Sequence, residues 1–222
     1  MKEIYKEFNE ITGEYVEEIP GQDRFAYGIS DMGDLFEIED IIKHVGSYKG
    51  SVIRFYDYQR GKVFLPFDQK ENIGYRRPIF IDGSFYILQV DFDEGLANIY
   101  KYYPGECLDK IASHKIKDLS TYNLGLIGNE LHLISQDDES LEIYYPYRKS
   151  VKLEANESVL LIDDGKVYIN AWIEEGWDDE KNREGEDYSY YDKLIIKDLD
   201  SNIISERVGN LHQKSDGTWW IA

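Results

Sequence analysis

One cysteine stands among 222 residues, so no disulfide forms within the chain and its own core has to hold the fold together. Four histidines, His44, His114, His132 and His212, are scattered without the paired ligand spacing of a transition-metal site. Bases are scarce beside acids: 25 Lys and Arg against 44 Asp and Glu give a formal net charge of -19. A field of that sign repels nucleic acid and anionic membrane, and it attracts cations or basic proteins. No stretch approaches the roughly 20 apolar residues that span a bilayer, and MKEIYKEFNE carries charges where a secretory leader has its apolar core. The expectation is a soluble, cytoplasmic protein in which Cys107 is a buried or half-buried structural thiol.

Catalytic signatures are missing as well. The chain has no glycine-rich phosphate loop with its lysine, no HExxH and no Gly-x-Ser-x-Gly elbow. We therefore expect neither an enzyme nor a bound cofactor. Asp91-Phe92-Asp93-Glu94-Gly95 has the acid spacing of some calcium loops, but the later ligands are absent and the same residues make an ordinary hairpin turn. No metal site is expected.

What the chain has is self-similarity. A Gly or Asn turn followed by an alternating apolar stretch recurs at Gly33 (LFEIE), Gly83 (SFYILQV), Asn129 (ELHLIS), Gly165 (KVYINAW) and Gly217 (TWWIA). Two-residue hairpin turns need φ > 0, which Gly adopts freely and Asn tolerates next best. A second, more polar hairpin follows in each unit, with turns at Arg60-Gly61, Pro104-Gly105, Arg148-Lys149 and Asp200-Ser201. Its fifth member comes from the other end of the chain, where EIYKEFNEITGEYVEEI resembles NIYKYYPGECLDKIA and turns at Thr12-Gly13. Four short strands per unit at a period of roughly 35 to 50 residues is the pattern of a propeller. The expected fold is all-β: a five-bladed β-propeller forming one domain over residues 1–222, closed by N-terminal and C-terminal strands that share one blade.

In blade periodicity and closure the chain resembles small β-propellers, a group that includes five-bladed lectins and five-bladed glycoside hydrolases. That resemblance implies a rigid ring. It brings no sugar-binding motif repeated from blade to blade, and the first strands FAYGIS, RPIFI, NLGLI, VLLID and NLHQK offer almost no carboxylate for hydrolysis outside their turns.

The longest insertion, WIEEGWDDEKNREGEDYSYYD, interrupts the fourth repeat with acids and aromatics together. Trp177, Tyr188 and Tyr190 among Asp178, Asp179, Glu180, Glu184, Glu186 and Asp187 are the residue types that anchor a cationic surface. Asp137 and Asp138 in another loop join them as expected partner-binding residues, whereas Trp172 and Tyr191 are read as extensions of the hairpin strands. The expected function is non-enzymatic binding of a basic protein partner, with an immunity- or inhibitor-type protein as one version. A lectin-like site for carbohydrate or another small ligand is the alternative, and a glycoside hydrolase ranks below both.

Overall fold

FAYGI is buried at every residue, as a strand flanked on both sides and covered on both faces should be. The computed structural model describes residues 4–31, 33–178 and 183–222, with Asp178 by its backbone alone. The fold is all-β, built from antiparallel sheets with one α-helix among the described residues. Two compact units divide the chain: Met1–Leu126 with Lys214–Thr218, and Ile127–Gln213 with Trp219–Ala222.

In the first unit, β1 (Glu17–Glu18), β2 (Phe25–Ile29), β3 (Ile53–Asp57) and β4 (Lys62–Phe64) form one sheet in chain order, with α1 (Leu35–Val45) between β2 and β3. The second sheet holds β5 (Ile73–Tyr75), β6 (Ile79–Ile81), β7 (Ser84–Asp91), β8 (Leu96–Tyr103) and β9 (Cys107–Lys115). Both β5 and β6 pair with β7. Phe25, Phe55, Phe85 and Tyr102 meet in the core of this unit, with Phe55 5.1 Å from Phe85 and 5.0 Å from Tyr102 between ring centroids. Asp57 is fully buried and holds Arg24 through two hydrogen bonds of 2.7 and 3.2 Å. Burial alone would raise the Asp57 pKa; Arg24 and the N–H groups of Arg60 and Gln59 outweigh it and hold the carboxyl below its ordinary value.

Beyond β10 (Gly125–Ile127) come β11 (His132–Gln136), β12 (Ser140–Tyr145) and β13 (Lys149–Lys152) in a third meander. A fourth follows in β14 (Glu157–Asp163), β15 (Lys166–Asp178), β16 (Arg183–Asp198) and β17 (Ile203–Val208), and a two-stranded sheet of β18 (Leu211–Gln213) and β19 (Trp219–Ile221) ends the chain. The core of the second unit gathers Ile134, Leu141, Val151, Ile162, Val167 and Ile195. Within it Lys197 and Glu157 form an ion pair of 2.5 Å with side-chain exposures of 6% and 4%.

The turn chemistry read from the repeats is realised at the hairpins of the second and fourth repeats, whereas Lys149 of the expected Arg148-Lys149 turn already lies in β13. Asp82 and Gly83 have φ of 47° and 76°, and Asp164 and Gly165 have 47° and 67°, the two successive positive values of a type I′ turn. At the third repeat the left-handed residue is Gly128 (φ 106°) and not Asn129, and only glycine fits there, since a Cβ at 128 would lie 2.3 Å from the Glu130 carbonyl.

Three expectations are corrected. LFEIE is the start of α1 and not a strand: Asp34 caps it, accepting from Phe36 N, while the Glu37 side chain accepts from Asp34 N, and Gly46 ends it in the left-handed region. Cys107 is exposed, since it opens β9, an outer strand whose first five residues all face solvent. Among the described residues, no ladder joins the N-terminal segment to β19. Glu17 and Glu18 pair with β2 instead. Ahead of them the chain lies along the first sheet, with Asn9 N donating to Gly61 O (2.8 Å), Thr12 bonded to the Tyr56 hydroxyl (2.6 Å) and Glu14 paired with Arg54. These polar groups of β3 and its turn offer the segment partners nearby, and Trp219 Nε1 donates to Asn129 Oδ1 (3.3 Å) within the second unit.

Candidate functional site

β15 and β16 outrun their neighbours in the fourth sheet. Pairing with β14 reaches Ala171 on β15, and pairing with β17 reaches Lys193 on β16, yet the two strands remain paired with each other as far as Asp178 and Arg183. The insertion is thus a two-stranded arm, rooted where Ile173 packs against the core of the second unit. Asp179 and Glu180, expected at its tip, lie outside the described residues.

One face of the arm carries a row of aromatic rings. Trp172 stacks on Tyr190 at 4.8 Å and 24°, Tyr190 lies 6.3 Å from Tyr188, and Tyr188 meets Trp177 edge-on at 6.0 Å and 65°. The register explains the row: Glu174 opposes Tyr190 and Trp172 opposes Asp192, so Trp172, Tyr188 and Tyr190 share a face by the period of two. A bulge then brings in Trp177. The register shifts between Glu175 and Trp177, where Gly176 has φ 75° and a Cβ would lie 2.7 Å from the Asp187 carbonyl. Trp172, Trp177 and Tyr190 are 44%, 43% and 61% exposed, unusually open for rings held this firmly.

Acids surround the rings. Tyr188 donates to Glu174 (2.8 Å) and Tyr191 to Glu175 (3.0 Å), while Glu184, Glu186 and Asp187 are exposed. Arg183 is the basic residue among the described positions of the arm beyond Lys193. The bond to Glu174, with lesser contributions from desolvation and the charges of Glu174 and Glu184, pushes the Tyr188 hydroxyl up to about 12. Glu174→Gln is expected to return the Tyr188 pKa toward its ordinary 10.0, read by NMR titration of ring-labelled tyrosine. A value still near 12 would mean that Glu174 does not hold the hydroxyl.

Trp177, Glu184, Glu186, Asp187, Tyr188 and Tyr190 therefore come together on the arm, as does the backbone of Asp178. Asp137 and Asp138 do not join them. They line a separate open cleft of about 750 Å³ with Glu139, Lys152 and Glu154, to which no described arm residue contributes. Asp137 serves its own turn: the N–H groups of Glu139 and Ser140 bond its carboxylate and hold it below the usual range. The sequence reading missed Trp172 as an exposed ring and Glu174 and Glu175 as tyrosine partners. The signal was the alternation itself, since Trp172 and Glu174 fall two apart on one strand and Tyr188 and Tyr190 on the other.

The Asp91 loop is a turn. Buried Asp91 pairs with Lys70 (2.8 Å) and accepts from Glu94 N (2.9 Å), Asp93 accepts from Asn72 (2.8 Å), and Gly95 has φ 65°. Among the described residues no group of three or more His, Cys, Asp and Glu is placed to hold a metal, and no helix is long and apolar enough to cross a membrane. Compared with known proteins, the chain matches no family model, no curated protein and no solved structure.

Proposed function

We propose that the protein is a non-enzymatic binding protein whose arm engages a basic protein partner in the cytoplasm. The observation that carries this reading is the row Trp172, Tyr190, Tyr188 and Trp177, with Tyr188 half-buried and the other three exposed, on a ribbon otherwise rich in carboxylates. Aromatic rings present large, rigid contact area and attract guanidinium and ammonium groups through their faces, and the acids beside them add long-range attraction. An inhibitor of a cationic enzyme, of the immunity type, is one version of this reading. The five-bladed ring belongs to the same proposal: four meanders and a terminal hairpin supply strands for it. The rings stand on one arm instead of recurring from blade to blade, which favours a single protein partner over a lectin-like array.

Replacing residues 177–187 by an Asn-Gly turn tests the reading, since it removes the tip and leaves the core residues of the second unit in place. The urea midpoint is expected to stay unchanged while capture of the basic partner is lost. The association rate of the intact protein should fall about tenfold or more between low and high salt, as steering requires. Full capture by the shortened protein would sink the proposal.

A further inference from the structure

Arg76 and Arg77 are consecutive, yet both line one cavity of about 220 Å³ in the first unit, together with Glu17, Tyr27, Ile29 and Tyr75. Successive side chains on a regular strand point to opposite faces, so a local device has to bring the two together. That device is a bulge. Tyr75 pairs with Gln89 and Ile79 with Tyr86, so the three residues 76–78 face only Ile87 and Leu88 on β7. Pro78, which has no N–H for a ladder, falls within that irregular stretch.

The two guanidinium groups are held differently. Arg77 is balanced: it pairs with Glu17, and its Nε donates to the Tyr27 hydroxyl (3.0 Å), which in turn donates to Glu17 (3.0 Å). Arg76 is held loosely, its closest approach to an acid among the described residues being 3.8 Å, to Asp34. Asp34 is already engaged at the start of α1, where its Oδ1 accepts from Phe36 N at 3.1 Å. Arg76 therefore lines the cavity with its guanidinium only loosely paired, beside walls formed by buried Tyr27, Ile29 and Tyr75.

We propose that this cavity binds a small organic monocarboxylate, with Arg76 as the anchor and the two tyrosine rings and Ile29 against its apolar part. A guanidinium matches a carboxylate with two parallel N–H···O bonds. Glu17 and Asp34 match the charges of the two arginines, so the site has little excess positive charge and takes a single negative charge more easily than a dianion. The volume is below the roughly 300–1,000 Å³ of drug-sized sites, which fits a molecule of a few carbons. This site lies in the first unit and is independent of the arm.

The test is NMR titration of the full chain, labelled in its arginine side chains, with isobutyrate, benzoate and inorganic phosphate. Saturable binding of a carboxylate that shifts the Arg76 Nε–H is expected. Arg76→Gln should weaken it about tenfold or more, while Arg207→Gln on exposed β17 leaves it unchanged. Should Arg76→Gln not fold, Arg76→Lys keeps the charge and removes the fork, and several-fold weaker binding is expected of it. No saturation at tens of millimolar, phosphate binding as tight as either carboxylate, or unchanged affinity in the Arg76 variant that folds would each overturn the assignment.

Discussion

Lys197→Met is expected to lower the free energy of unfolding by about 3–5 kcal/mol, because it strands a buried carboxylate. Glu157 is 4% exposed, and Lys197 Nζ reaches it at 2.5 Å while also donating to the Lys152 carbonyl at 3.0 Å. Glu157 still accepts from Glu154 N at 3.0 Å, but one neutral donor does not compensate an ion removed from water. The variant Lys197→Met with Glu157→Leu should recover much of the loss, since replacing both ions by apolar groups removes the desolvation penalty along with the attraction. Urea unfolding of the two variants decides it. A single-variant loss below about 1 kcal/mol would show that water reaches the pair.

Gly50→Ala is expected to cost at least about 3 kcal/mol, and the contrast with Gly83→Ala isolates the cause. Both glycines have positive φ, 81° and 76°, so both substitutions carry the left-handed strain of about 1–2 kcal/mol. At Gly83 an added Cβ meets nothing within 4 Å, whereas at Gly50 it would lie 1.9 Å from the Lys70 carbonyl oxygen. That oxygen belongs to backbone that cannot swing aside. Tyr48 and Asn72 exchange hydrogen bonds of 2.9 and 2.7 Å across the same crossing, and Ser51 N donates to Ile73 O at 2.9 Å. Relief of the clash has to break some of these bonds. Equal urea midpoints for the two variants would mean that the crossing is softer than its hydrogen bonds imply.

The hairpins were readable because their information is local. An Asp-Gly pair between alternating apolar stretches encodes two left-handed residues and a register, and Asp82-Gly83 and Asp164-Gly165 turn as that chemistry requires. LFEIE misled because five residues are too few to separate a period of two from one of 3.6. Asp34 and Glu37 had the spacing of a capping box, and that was the stronger signal. The aromatic content of the arm and the face Trp172 shares were also visible in the alternation, but the exposure of Trp172 was not, because it follows from where the pairing with β14 stops.

By itself the chain determined its strand alternation, its turns and its charge, since each depends on neighbours a few residues apart. Tertiary structure decided where the N-terminal segment lies, because Arg54, Tyr56 and Gly61 bind it across 40 or more positions of sequence. It also decided that two successive arginines face one cavity. A bulge exists only relative to the strand it pairs with, so no reading of Arg76 and Arg77 alone could reveal it.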